Sequence, residues 1–521
     1  MMNPMRMSCF LLAGCLGATS LRAQTLGTID FPNSGNEAAQ APFIRGMLLL
    51  HSFEYEDAAE AFRQAQAADA GFALAYWGEA MTYTHPLWDE QDQAAARTAL
   101  ERLGATVDER ASHAPTPREK LYLATTEALY FSQASKARRD TLTEDAFSRI
   151  LRDFPQDDEA RAFYALWLMG LSQGTRNIPT YMRAGAIAED IYRRNPRHPG
   201  ALHYIIHAFD DPVHAPLGLF AAREYSAIAV DADHAQHMTT HIFLALGMWP
   251  ETVRQNVIAS GDSSKWKPGH YTSWMDYGLL QLGKYDAARR HLELMRDNLG
   301  NTGTAGRQGA LLAMRAHYLI LTERWKDEVA GWALDMPLAG PVPRAMDGFA
   351  LGFAALRRGD RRQAEQRLAD LKGIAKRLEA DTGYTGNRRV AGVLATELEA
   401  LLLSDKGKKE DAVTLLRGVT KEEDAFPAEF GPPDVVKPTH ELLGELLLAL
   451  GRPAEAVSQF SRALELAPGR SPALLGLARA ARASGDSAQA DRALELLQKN
   501  WIDADSEIPA LAQVRELRAG R

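Results

Sequence analysis

The sequence predicts an all-α protein, an α-solenoid of helix–turn–helix repeats wound into a curved superhelix. Three observations predict it. Histidines recur at a fixed interval of 34 residues, His203 to His237 and His207 to His241. Consecutive units therefore carry the same side chains at the same places, and this period suits a two-helix unit. Amphipathic stretches of helical period, separated by short turns, fill most of the chain, and no run alternates in the manner of a strand. At 521 residues, the chain is too long for one compact core and long enough for an array of about ten such units.

In chain order, residues 1–23 read as an export signal. Arg6 gives a positive start, residues 8–17 are apolar, and Leu21–Arg22–Ala23 precedes polar sequence. Two endings stay open. Cleavage falls near Ala23, or before Cys15, because Leu12–Ala13–Gly14–Cys15 resembles a lipoprotein box in which Cys15 carries a lipid anchor. Cys9 and Cys15 are the only cysteines, so the rest of the chain has no disulfide and no thiolate metal site. The predicted location is the periplasm or the envelope, with the membrane met only through that lipid. A hydrophobic content of 46%, a charged content of 24% and a net charge of −8 describe a folded protein and argue against a nucleic-acid partner.

Residues 24–40 read as a polar lead-in, a loop or a loose arm containing Pro32, Asn33, Ser34 and Gly35. The repeat array follows over 41–419, with a His-rich centre at 199–249. Its first unit starts near Gln40, with Gly46, Ala58, Phe62 and Ala65. Two segments break the rhythm and read as loops: Gly104–Pro117, and 420–438 with Gly431–Pro432–Pro433, the second capping or crossing the array. Residues 439–521 hold the C-terminal repeats. The clearest unit begins at Lys437, KPTHELLGELLLALGRPAEAVSQFSRALELAPG. Gly444 is the small residue of its first helix and Gly451 its turn, while Ala456, Phe460, Ala463 and Leu464 form the packing ridge of its second helix. Another unit starts near Ser471, with Ala478, Gly485 and Ala490.

These spacings are those of the tetratricopeptide repeat. The segments HSFEYEDAAEAF, AYWGEAMTYTHPLW, HYIIHAFDDP, HAQHMTTHIFLALGMW and GPPDVVKPTHELLGELLLALGRPAEA resemble a family of exported bacterial tetratricopeptide-repeat proteins, from about Ala41 to the end. The resemblance implies a helical repeat fold, an envelope location and a concave ligand-binding groove. It implies no reaction. Thr239 and Thr240 depart from the Met-Pro-Ser expected before the last histidine, which is expected to alter the start of that helix and re-aim His241.

In units counted from Pro199 and Asp233, His203 and His237 occupy position 5, His207 and His241 position 9, and His234 position 2. By resemblance, these positions face the groove. Helical geometry agrees, because residues i, i+3 and i+7 fall within about 60°. His51 and His85, again 34 apart, share position 13 of the first two units, and His270 opens the unit after His241. Seven of the fourteen histidines fall within residues 198–241.

The expected groove is thus lined by His51, His85, His203, His207, His234, His237, His241 and His270, and two functions stay open. One is a scaffold binding a protein, a peptide or a small polar ligand. The other is a metal protein or metal-dependent enzyme, because neutral imidazole suits zinc, copper or iron. Its ligands would be His203, His207, His237 and His241, with His234 as a further ligand or proton shuttle. Asp210, Asp211, Asp233 and Glu224 would ligate or orient the rings. No HExxH, serine elbow, phosphate loop or dinucleotide fingerprint accompanies them, so familiar hydrolase and nucleotide chemistry is disfavoured.

Overall fold

A computed structural model describes residues 25–172, 176–261, 268–299, 303–381, 387–428 and 430–519. The export signal read in residues 1–23, with Cys9 and Cys15, lies outside the described residues. The described chain is an all-α repeat fold of 25 α-helices. Its strands are two short segments, Thr84–His85 and Glu90–Gln91, paired antiparallel. No described helix is long and apolar enough to cross a membrane.

The helices come as antiparallel pairs joined by tight turns. Asp233–Ala245 and Trp249–Ser260 show how the turn works. Gly247 adopts φ 69°, its N–H donates to the Leu244 carbonyl at 2.9 Å, and the Met248 N–H donates to that of Phe243 at 2.8 Å. This left-handed closure of a helix end favours glycine. Within the C-terminal pairs, the Phe460 ring wedges between two glycines. A Cβ on Gly444 would stand 2.9 Å from that ring and one on Gly476 2.2 Å. Phe62 sits likewise against Gly46 and Gly78. Small residues let the helix axes approach, and one large ring fills the junction.

The superhelix winds back on itself. The Trp249 indole N–H donates to the Gly469 carbonyl at 2.9 Å, and the Ser471 hydroxyl donates to that of Gln281 at 2.6 Å. At the other end, the Thr28 N–H donates to Arg197 O at 2.9 Å and the Thr25 N–H to Asp231 at 2.6 Å. The segment before the first unit therefore packs at the starts of the units at 199 and 233, and the last units pack on those around 249–283. Two large apolar cores result, one over Leu26–Ala245 and one over Trp249–Ile508, with a small third around Leu474, Leu497 and Trp501.

Two expectations from the sequence are corrected, and the bounds of a third move. Of the two readings of the lead-in, residues 25–36 are a loop and not a loose arm, since Leu26 and Phe31 are buried, and helix Glu37–His51 already starts within the expected segment, capped by Asn36. The two apolar side chains in a polar stretch anchor it, with Phe31 5.5 Å from Phe43 and the Arg118 guanidinium over its ring. Gly104–Pro117 is not all loop but contains helix Val107–Ser112. Capping boxes from Thr106 to Glu109 and from Thr116 to Glu119 start that helix and the next. In 420–438, helix Lys409–Glu423 continues into the segment, and the remainder crosses to the central units, where Gly431 lies against Trp274.

Candidate functional site

Three helices and a turn build the site. Helix Pro199–Ala208 is started by His198, whose ring nitrogen Nδ1 accepts from the Ala201 N–H at 3.1 Å. Helix Asp233–Ala245 starts where Glu54 accepts from the His234 N–H at 2.8 Å. Helix His270–Gln281 follows Gly269. Thr239 and Thr240 do not disturb their helix, because their hydroxyls donate to the carbonyls of Gln236 and His237 within an unbroken Asp233–Ala245.

The turn is that of the first unit. Six later turns place a glycine at positive φ: Gly247, Gly283, Gly359, Gly407, Gly451 and Gly485. The first unit places Phe53 there at φ 55°, with the Glu54 N–H donating to Leu49 O at 3.0 Å, the bond Met248 makes to Phe243. A bulky residue in this region costs on the order of 1 kcal/mol. In return its ring enters the histidine cluster, 4.2 Å from His203, 5.6 Å from His234 and 6.0 Å from His207.

The cluster borders a pocket of about 580 Å³ at the seam of the two cores. His207, His234, His237, His241 and His270 line it, with Phe53, Trp88, Tyr271, Trp274 and Phe430 among the walls. Three of the expected groove residues, His51, His85 and His203, are elsewhere. His51 is fully buried, with Nε2 2.6 Å from Glu159 and Nδ1 3.0 Å from the Tyr204 hydroxyl. His198 holds the other Glu159 oxygen at 3.0 Å. His85 stands on the short strand pair, stacked on Tyr55 at 3.9 Å and bonded to Glu90. Their shared register position does not survive, because the chain after helix Ala73–Met81 leaves the repeat path for that hairpin.

The expected metal set also divides. His203 Nδ1 donates to the His51 carbonyl at 2.7 Å, which leaves its Nε2 to accept from His207 Nε2 at 3.1 Å. Both nitrogens of His203 are used within the core, so it is removed from the ligand set. His207 turns its Nε2 to His203, and of the four it is His237 and His241 whose ring nitrogens come within 4.8 Å of a third, that of His270. His237 Nδ1 donates to Asn256 Oδ1 at 2.8 Å. The Asn256 amide is oriented by its own donation to Thr252 O at 3.0 Å. His241 Nδ1 donates to Asp210 at 2.5 Å. Of the other carboxylates singled out, Asp211 pairs with Arg176 and His214, and Glu224 accepts from Tyr192.

Burial favours the neutral form of His203, His207, His234 and His237. It lowers the pKa of His203 to about 3, and it takes His207, His234 and His237 well below the usual imidazole value, with repulsion from neighbouring rings adding to the effect. Glu159 shows the opposite balance: burial pushes its carboxyl up, but His198 and His51 hold it well below the ordinary range.

Asp276, on helix His270–Gln281, shows no signal in the sequence. It is 1% exposed, neither oxygen has a hydrogen-bond partner, and burial raises its pKa well above 3.8. A raised folded-state value means that its protonated form belongs to the folded chain. Stability is then full below about pH 4 and falls as pH rises through the raised value. Asp276→Asn is expected to stabilise the protein by about 1 kcal/mol or more at pH 8 and by much less at pH 4. Urea unfolding at the two pH values measures the difference.

Asn256, Tyr271, Trp274 and Phe430 are site residues that the histidine period did not reveal. Trp274 was within reach, four residues after His270 on one helix face. Phe430 was not, because it arrives from a loop far along the chain.

Residues 447–500 match the family model of the tetratricopeptide repeat. No curated protein matches the chain in sequence. Among solved structures, yeast Tom70 is 12% identical, with 94% of this chain and 96% of that chain covered and a TM-score of 0.29. The human IFIT1 dimer with m7Gppp-AAAA is 13% identical, with 91% and 90% covered and a TM-score of 0.38. An IFIT1 monomeric mutant with Gppp-AAAA is 13% identical, with 90% and 92% covered and a TM-score of 0.37.

Proposed function

We propose that this tetratricopeptide-repeat protein is an exported scaffold that holds a small polar ligand, or a side chain of a bound peptide, in the His-lined pocket at its seam. One observation carries the reading. His234 Nε2 and His237 Nε2 are buried polar atoms on the pocket wall that have no hydrogen-bond partner. Buried polar groups are ordinarily satisfied, and leaving one unpaired costs about 1–3 kcal/mol. A ligand supplies the missing partners. Aromatic walls with a few convergent polar groups are the usual lining of a binding site, and seams between cores are a usual place for one. Export rests on the signal read in residues 1–23.

Trp88 separates binding from folding. It is 46% exposed at the pocket rim, so Trp88→Ala should change stability by no more than about 0.5 kcal/mol. Native mass spectrometry of the full chain, isolated without denaturation, is expected to show a bound species. Trp88→Ala and His234→Ala should each weaken it about tenfold, or about 1.4 kcal/mol, with unchanged circular dichroism. Identical spectra from parent and variants would remove the pocket as the binding site.

A further inference from the structure

We propose that His237, His241 and His270 bind one first-row transition-metal ion through their ring nitrogens. Asp210 and Asn256 fix two of the rings, and a fourth coordination position opens to the pocket. The inference rests on the pocket being the functional site and names what it holds.

Hydrogen bonding decides which nitrogens are free. A carboxylate only accepts, so Asp210 makes His241 Nδ1 the protonated nitrogen and leaves the Nε2 lone pair free. Asn256 spends its amide N–H on Thr252, so its oxygen does the same for His237. His237 Nε2 is buried, without a protein partner, on the pocket wall. Metal-bound histidines commonly donate their other N–H to a carboxylate or amide oxygen, which orients the ring and makes it more basic. Two rings of this site already do so.

The other close histidine group shows the contrast. His51, Glu159 and His198 also bring one atom each within 4.8 Å. There the nitrogens are engaged: His51 with Glu159 and Tyr204, His198 with Glu159 and the Ala201 N–H. That triad is a closed hydrogen-bond network with no imidazole lone pair to offer.

Geometry and donor type narrow the ion. A metal–nitrogen bond of about 2.0–2.1 Å places tetrahedral ligands about 3.3 Å apart, so atoms within 4.8 Å need a modest approach. His270, exposed at the first position of its helix, is the ring with room to make it. Three neutral imidazoles suit zinc or copper and not calcium or magnesium, which take oxygen ligands. The Asp210 carboxylate behind His241 offsets part of the ion's charge. Three protein ligands leave the fourth position to water or to a Lewis base in the pocket.

The test uses the full chain stripped with a chelator and titrated separately with Zn2+ and Cu2+. One ion per chain is expected, and the Cu2+ form should show nitrogen coupling in its electron paramagnetic resonance spectrum. His270→Ala should lower affinity about a hundredfold, and Asp210→Asn about 10–100-fold, with circular dichroism unchanged. His113→Ala, at an exposed histidine away from the pocket, should bind as wild type. Wild-type protein that retains neither ion, a copper spectrum with oxygen ligands only, or His270→Ala binding as wild type would overturn the proposal. A metal-free chain that still loses its bound species in His234→Ala would sink the metal and leave the ligand pocket standing.

Discussion

Replacing Arg470 by methionine is expected to cost about 3–5 kcal/mol of unfolding free energy. Arg470 is fully buried where the last units meet the central ones. Its guanidinium donates to Glu441 at 2.7 Å, to the Tyr277 hydroxyl at 2.9 Å and to the Val436 carbonyl at 3.2 Å. Lys437 lies on the other side of Glu441 at 2.8 Å and also holds Glu445. Without Arg470, one ammonium is left to neutralise two carboxylates, and the Glu441 charge stays buried.

The double variant Arg470→Met/Glu441→Gln should recover part of the loss, which a double-mutant cycle of urea midpoints would read as coupling. Acid gives a second reading. Burial alone would raise the Glu441 carboxyl, yet Arg470 and Lys437 hold it down at about 2. A lowered folded-state value gives stability that is present above the ordinary value of 4.5 and lost as pH falls toward 2. Arg470→Met should shift that loss toward higher pH. Equal acid midpoints for wild type and variant would contradict the account.

Phe460→Ala is expected to cost about 3–5 kcal/mol, the range for emptying a buried aromatic site. The ring is 0% exposed, and the glycines on either side cannot fill the space it leaves. Phe460→Leu keeps most of the apolar contact and should lose clearly less. Calorimetric unfolding of the three proteins orders them, and an alanine variant as stable as the leucine one would show that the junction closes by itself.

The repeat register was legible because it is local. Ala456, Phe460 and Ala463 form the buried ridge of helix Pro453–Leu466, as the small–large spacing of the C-terminal unit implies. The site was legible only as a face. A 34-residue interval says which side of a helix a histidine takes, but nothing within one unit encodes where the winding brings the ends. Contacts such as His203 to His51 or Trp249 to Gly469 span 152 and 220 residues. They turn an expected open groove into a seam that holds the histidine-lined pocket. The same winding withdraws His203 into the core and delivers Phe430 and Trp274 to the pocket. The Phe53 turn is visible in the sequence as HSFEYED, but only beside its glycine counterparts does it stand out.

The contact of Gly247 with the chain at Pro468 has a consequence for the length of the protein. A Cβ at Gly247 would stand 2.3 Å from the Pro468 carbonyl, so the two backbones meet with no side chain between them. An unclosed solenoid can gain or lose a module and melt piecemeal, since each module answers only to its neighbours. Here one module inserted or deleted between 249 and 468 would carry the far end past its seat by a full step. The tally of modules in that stretch is set like the staves of a barrel, and that stretch should come apart as one piece.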